Sequence, residues 1–165
     1  MKSKESAQRR GVAALVMLAL TALFVSACGS KTENANNQAG NQAGTLKKAL
    51  NAADEAAALR TLQTIYRAET EYMTGHDGEY GTFDQLVKSL SLDQRFAGSA
   101  PVVEGYVFAL TLKPDASGKA TDYSINADPK EEPSGGARHL YMDASSNVVR
   151  ANAKQKASVS DPPLQ

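Results

Sequence analysis

Few side chains of this sequence combine the residue types and the spacing that chemistry requires. Its 165 residues include one cysteine, Cys28, and two histidines, His76 and His139. A general base at His139 would need a nucleophile and an orienting partner, and the sequence locates neither. The sequence also lacks nucleophile-elbow, zinc-protease, phosphate-loop and dinucleotide-binding motifs. We therefore expect a protein that is not an enzyme and carries no cofactor.

Two predicted turns hold side chains that could bind a divalent cation. The first contains His76, Asp77 and Glu79, but histidine is a poor calcium ligand and the regular oxygen spacing of a calcium loop is missing. In the second, Asp143 and Asn147 could contribute to a cation site, although a turn capped by the aspartate side chain is the simpler interpretation. The sequence thus predicts no metal site, with Asp143 and Asn147 as the weak candidates.

Cys28 stands at the end of a segment that is typical of an export signal. Residues 1–10 hold four basic side chains and one acid, and residues 12–27 carry no charge. This apolar run is slightly shorter than the roughly 20 residues of a permanent membrane span, which favours a cleavable signal peptide. A lone cysteine in an exported chain needs an explanation, because it has no second cysteine to pair with.

The residues before Cys28 supply that explanation. Val25-Ser26-Ala27-Cys28 resembles the lipobox of bacterial lipoproteins, in which a branched apolar residue and two small residues precede the cysteine. The resemblance implies a signal peptide in residues 1–27, cleaved between Ala27 and Cys28, and a diacylglyceryl group on the thiol. Gly29 resembles the residue found after the cysteine in outer-membrane lipoproteins. The expected location is the cell envelope, on the outer membrane and facing the periplasm or the surface.

Two other interpretations of the N-terminus stay open. Arg9-Arg10 could belong to a twin-arginine export signal, although the residues that normally follow are absent. The same pair followed by Gly11 and an apolar run also looks like a prepilin leader that is cut after glycine. Val12 and Val16 stand where a prepilin would normally have phenylalanine and glutamate, which weakens that match.

Removal of the signal peptide changes the charge balance. Of 18 basic and 18 acidic residues, four basic residues and one acid leave with the signal, so the mature chain has 14 basic and 17 acidic residues, a net charge of −3. Such a chain has no electrostatic footprint for nucleic acid. Residues 29–44 contain the tetrapeptide NQAG twice in tandem. The segment 28–44, beginning at the lipidated Cys28, is therefore predicted to be a flexible tether.

The remaining sequence predicts one α+β domain over residues 45–152. Helical spacing of apolar residues predicts a long helix over 45–74, with Thr45 as a plausible N-cap. A capping box from Thr82 to Gln85 opens a short helix over 83–91. Alternation of apolar residues predicts a small antiparallel sheet packed on the long helix. Its three to four strands are expected at residues 106–112, 121–127, 138–142 and 148–150.

The last 13 residues are polar and predict no element. Residues 153–165 are therefore expected to be a disordered tail. This leaves the strand at 148–150 as an open edge to which a partner could add a strand.

Residues 56–150 are similar to the heads of type IV pilins and of type II secretion pseudopilins. The similar segments are Ala58–Glu69 with Tyr72, Gly78–Thr82 with Leu86, Gly105–Phe108, Tyr123–Pro129 and Gly136–Asp143. The resemblance implies a pilin-like head, in which a helix packs on a small sheet that ends in a hairpin. The chain departs from the family in its lipobox and hydrophilic tether, so filament assembly is not expected. It also has Asn147 where the family usually has glycine.

These features predict a lipid-anchored protein with a structural or protein–protein interaction role. The resemblance implies a link to a type II secretion or type IV pilus-like apparatus. The expected partners are the membrane, through Cys28, and a protein of that machinery. The alternative is a periplasmic lipoprotein that binds a small molecule or a divalent ion.

Overall fold

The computed structural model describes residues 34–131 and 136–164. Its first element is a helix of 42 residues, α1, Asn34–Gly75. The predicted start at Thr45 is wrong, because the NQAG repeats are helical. Their alanines and glutamines are good helix formers and extend a helix that is already nucleated further along the chain. Thr45 lies inside the helix, where its hydroxyl donates to the carbonyl of Asn41 at 2.8 Å.

The second half of α1 carries the stripe that builds the core. Its fully buried members are Ala58, Leu62, Ile65 and Glu69, and Tyr72 is 8% exposed. The spacing of three and four residues places them on one side of the helix. No helix within residues 34–131 and 136–164 is long and apolar enough to cross a membrane.

The capping box predicted after α1 is confirmed. The Thr82 hydroxyl accepts from the Gln85 backbone N–H at 3.3 Å, and the Thr82 N–H donates to the Gln85 side chain at 2.8 Å. These bonds satisfy backbone groups that would otherwise be left without partners at a helix start. The helix, α2, Phe83–Lys88, ends before the predicted residue 91. A short 3-10 helix, Gln94–Phe96, follows, for which no element was predicted.

The sheet is an antiparallel meander in chain order, with five strands where three to four were predicted. They are β1 Val102–Val103, β2 Tyr106–Pro114, β3 Ala120–Pro129, β4 His139–Asp143 and β5 Ser146–Asn152. The additional strand is β1, which is too short to show alternation. It turns into β2 through Glu104 and Gly105, both with positive φ, as a tight hairpin turn requires.

One face of the sheet closes the core against α1. Register places Phe108 opposite Ala127, and Ala127 opposite Leu140, so these side chains share that face. The rings of Phe83 and Phe96 extend the core to α2 and the 3-10 helix. The predicted α+β architecture, with a long helix packed on a small antiparallel sheet, is thereby confirmed.

The C-terminal residues 153–164 are not a disordered tail, contrary to the prediction. Ala157 is 4% exposed, and its carbonyl accepts from the buried Asn126 side chain at 2.7 Å. Asp161 accepts from Asn152 at 2.7 Å through its carboxylate and from Arg150 at 2.7 Å through its carbonyl. Hydrogen bonds to polar groups of the sheet hold the tail in place, so it is ordered without a run of apolar residues.

The tail also covers the edge that was expected to be open. The Leu164 N–H donates to the Val149 carbonyl at 2.8 Å, and the Ala151 N–H donates to the Pro162 carbonyl at 3.3 Å. Pro162 and Pro163 have no N–H of their own, so the covered edge offers few donors to another strand. The expectation of an open edge at residues 148–150 is therefore wrong.

Truncation after Asn152 should expose this edge. We expect the free energy of unfolding to fall by on the order of 2 kcal/mol, since several hydrogen bonds and the contact of Ala157 are lost. The truncated chain should also self-associate through β5. Denaturant unfolding and chemical crosslinking check both effects, with a chain lacking only Gln165 as the control. A truncated chain that keeps the stability and the monomeric state of the control would show that the tail is dispensable.

Candidate functional site

The predicted lipidation site lies outside the described residues. This applies to Cys28, to Ala27 before the expected cleavage point, and to the first part of the predicted tether. The candidate site that can be described lies in the first half of α1, which begins at Asn34 and whose residues 41–50 are exposed.

Two large apolar side chains are exposed in this half of the helix. Leu46 is 63% exposed and Leu50 is 56% exposed. They are one helical turn apart and lie on one side together with Ala49. We call Leu46, Ala49 and Leu50 the α1 face. Every residue from 41 to 50 is exposed, and of this face Leu50 also borders a cleft formed with Gly105 and Tyr106.

The other large exposed apolar residues do not form such a neighbouring pair on a helix. They are Leu90, Val102, Val148 and Val159. Single exposed apolar residues are ordinary on a soluble domain and carry no functional argument. The pair on α1 is therefore the stronger candidate for a contact surface.

An ion pair fixes the direction in which α1 leaves the sheet. Arg138, just before β4, donates to the carboxylate of Glu55 through Nε at 3.2 Å and through Nη2 at 2.5 Å. The carbonyl of Arg138 accepts from the Tyr106 hydroxyl at 3.1 Å. Burial is the main reason that the pKa of Tyr106 rises to about 12, so its hydroxyl stays a donor. The bidentate geometry holds the helix in one orientation.

A cleft of 280 Å³ lies beside this junction. Its lining includes the charged side chains of Lys47, Asp54, Lys130 and Glu131. Gly105 also lines it, and a Cβ there would lie 3.0 Å from the Asp54 carboxylate. The lining thus carries both signs of charge.

The weak cation candidates Asp143 and Asn147 have separate environments. Asp143 is 6% exposed, and its carboxylate accepts from the Ser145 hydroxyl at 2.6 Å, the Ser145 N–H at 3.1 Å and the Tyr141 hydroxyl at 3.1 Å. Burial alone would raise the pKa of Asp143, but these bonds outweigh it and hold that pKa below its usual value. Asn147 is exposed beside Val148. The simpler interpretation, an aspartate-capped turn, accounts for these contacts.

The loop after α1, which holds His76, Asp77 and Glu79, does not form a cation site either. The His76 ring stacks on Tyr72 with 3.7 Å between ring centroids, and its Nδ1 lies 2.8 Å from the Tyr72 carbonyl. The carbonyl of Asp77 accepts from the Lys119 side chain. Among the described residues, no three histidine, cysteine, aspartate or glutamate side chains are grouped so as to hold a metal ion.

His139 has the orienting partner that the sequence did not locate. Its Nδ1 lies 2.7 Å from Asp128 Oδ1, across the β3–β4 pairing on the outer face of the sheet. Sequence alone could not show this contact, because it follows from the register that pairs Ala127 with Leu140 and so places Asp128 next to His139. In residues 34–131 and 136–164, no hydroxyl or thiol bonds the other ring nitrogen. The arrangement orients a histidine without supplying a nucleophile.

Glu69 is a polar side chain of the core that the sequence analysis missed. It lies on the buried stripe of α1, between Ile65 and Tyr72, and is 0% exposed. The N–H of Gly81 donates to its Oε2 at 2.9 Å. Burial raises the pKa of Glu69 to about 7, and the bond from Gly81 lowers it less. A glutamate in phase with apolar residues could have been recognised from spacing alone.

No family model matches the chain, and neither a curated protein nor a solved structure matches it.

Proposed function

We propose that this protein is a bacterial lipoprotein anchored in the cell envelope through Cys28, with a pilin-like domain that binds a protein of a secretion or pilus-like apparatus. The observation that carries the interaction role is the α1 face. Two leucines exposed by more than half of their surface, within a stretch of α1 whose residues 41–50 are all exposed, suit an interface because burying them removes apolar area from water. The lipobox supports the anchor, and the order of motifs supports the pilin-like comparison.

The position of the α1 face is consistent with such a role. Along the sequence, α1 begins six residues after the proposed anchor, and Glu55, beyond the α1 face, pairs with Arg138 just before β4. The proposed contact needs no catalytic residue, in agreement with a non-enzymatic role.

Site-specific photo-crosslinking in cells tests this proposal. The photoreactive residue is placed at position 46, and at Arg67, an exposed position on the same helix, as the control. The proposal expects an adduct specific to position 46 that contains a component of a secretion or pilus-like assembly. Identical adducts at both positions, or none at position 46, would contradict it.

Replacing both leucines by aspartate should separate binding from folding. Because Leu46 and Leu50 are exposed, Leu46→Asp with Leu50→Asp should change the free energy of unfolding by only about 0.5 kcal/mol. Loss of two interface anchors should weaken the complex by more than about 30-fold. Titration against the crosslinked partner checks the affinity, and denaturant unfolding checks the fold. Unchanged affinity would remove the α1 face from the interface.

The cleft beside Asp54 favours the alternative, a periplasmic lipoprotein that binds a small molecule or a divalent ion. Thermal unfolding with calcium and with a panel of free amino acids tests it. A ligand present at 100 times its Kd would add about 2.7 kcal/mol of stability. Stabilisation by one amino acid, lost in Asp54→Asn, would favour this alternative over a protein partner.

A further inference from the structure

Glu69 is a buried carboxyl group with very little to stabilise its charge. The Gly81 N–H is its one hydrogen-bond donor, and its Oε1 has no partner within the described part of the chain. None of the ion pairs among the described residues includes it. An ionised carboxylate with a single neutral donor is costly to bury.

The titratable groups shown to interact with Glu69 are two phenols, Tyr80 from the loop after α1 and Tyr123 from β3. The pKa of each is raised by burial and, after that, by the Glu69 charge. Their rings meet edge to face with 4.7 Å between centroids. The buried Tyr123 hydroxyl, like Glu69 Oε1, has no partner among the described atoms. The cationic groups of the neighbouring segment are engaged elsewhere, since His76 stacks on Tyr72 and Lys119 donates to the Asp77 carbonyl.

Glu69 contacts the segment that joins two helices. Through Gly81 it ties residues 76–82 to α1, and the adjacent Tyr80 N–H donates to the Ala120 carbonyl at 2.9 Å. The fit is close, since a Cβ on Gly81 would lie 3.0 Å from the Tyr72 ring. The same segment ends at Thr82, the cap of α2. Displacement of this segment would therefore disturb its contacts with α1, with the start of α2 and with β3.

We propose that Glu69 is a pH-sensitive latch: as a buried neutral acid it allows residues 76–82 to lie closed on α1, and as a carboxylate it favours displacement of this segment, because water then reaches a charge that the single Gly81 N–H does not compensate. In the folded chain the pKa of Glu69 is raised from 4.5 to about 7. The folded form therefore binds the proton more tightly than the unfolded form does. The contribution of the Glu69 proton to the free energy of unfolding is complete below about pH 4.5 and is lost as the pH rises to about 7. This latch belongs to the folded domain and does not depend on the proposed anchor.

The test compares pH dependence in the full chain, purified in a mild detergent. Denaturant unfolding is followed between pH 5 and pH 8 for the unmodified chain, for Glu69→Gln and for Glu71→Gln, an exposed glutamate on the same helix. From pH 5 to pH 8 the folding equilibrium constant of the unmodified chain and of Glu71→Gln should fall on the order of 100-fold more than that of Glu69→Gln. Glutamine keeps an oxygen for the Gly81 N–H but cannot titrate.

Two residue-level measurements on the unmodified chain keep the proposal testable if Glu69→Gln does not fold. The Glu69 carboxyl, followed by carbon-13 NMR, should titrate near pH 7. Protection of the Gly81 amide from hydrogen exchange, corrected for its intrinsic pH dependence, should fall between pH 5 and pH 8 more than that of Phe108 in the sheet. Titration near pH 4.5, or equal pH dependence in the unmodified chain and Glu69→Gln, would overturn the latch.

Discussion

Cys28→Ser is expected to abolish attachment of fatty acid and to leave the signal peptide uncut. The serine hydroxyl cannot replace the thiol as the acceptor of the diacylglyceryl group, and the proposed cleavage point between Ala27 and Cys28 loses the residue that defines it. Because Cys28 is the only cysteine, no other thiol can take its place. Growth with a clickable palmitate analogue, followed by a gel shift, measures both lipid incorporation and the size of the product.

Ser30→Ala is the matched control, because it changes a small polar side chain two residues beyond the cysteine and leaves the lipobox intact. It should incorporate the analogue and reach the same size as the unmodified chain. Labelling or normal processing of Cys28→Ser would show that residues 25–28 do not act as a lipobox. The twin-arginine and prepilin interpretations of the N-terminus would then be favoured.

Phe108→Ala is expected to lower the free energy of unfolding by about 3–5 kcal/mol. Phe108 is 0% exposed at the centre of the inner face of the sheet, and its ring meets that of Phe96 edge to face with 6.4 Å between centroids. Phe96 in turn lies 6.3 Å from Phe83 in α2. Removing the phenyl group leaves a cavity at the point where the sheet, the 3-10 helix and α2 meet.

Since small domains are stable by only about 5–15 kcal/mol, this loss should leave a substantial unfolded fraction near 37 °C. Denaturant unfolding measures it, and Val159→Ala, at a position that is 60% exposed, is the control. The control should change the free energy of unfolding by about 0.5 kcal/mol or less. A loss below 1 kcal/mol for Phe108→Ala would contradict the burial of Phe108 between the sheet and the 3-10 helix.

The elements that the sequence predicted correctly are those with strong local signals. The capping box at Thr82 marks where α2 begins, and alternation within residues 106–112 and 121–127 predicted β2 and β3, which the structure extends to Tyr106–Pro114 and Ala120–Pro129. β1 was missed because two residues cannot show a period. The start of α1 was misplaced because asparagine and glycine in the NQAG repeats suggested a coil, whereas the helix extends through them from Asn34.

The tail and the polar contacts show what local patterns cannot supply. Ala157 is buried in an otherwise polar stretch by a hydrogen bond to Asn126, 31 residues earlier. His139 meets Asp128 only because of the register of β3 and β4. Glu69 differs, because its position on the α1 stripe was visible from spacing. Only the structure, however, shows that the Gly81 N–H bonds Glu69 and that none of the ion pairs among the described residues includes it.

We expect the mature chain to begin at a lipidated Cys28. Mass spectrometry of the N-terminal peptide, from protein extracted out of the membrane, measures this start. The expected result is a di- or triacylated Cys28 followed by Gly29. An N-methylated Val12 would contradict it, because residues 12–27 would then remain in the mature protein as the start of a filament-forming helix.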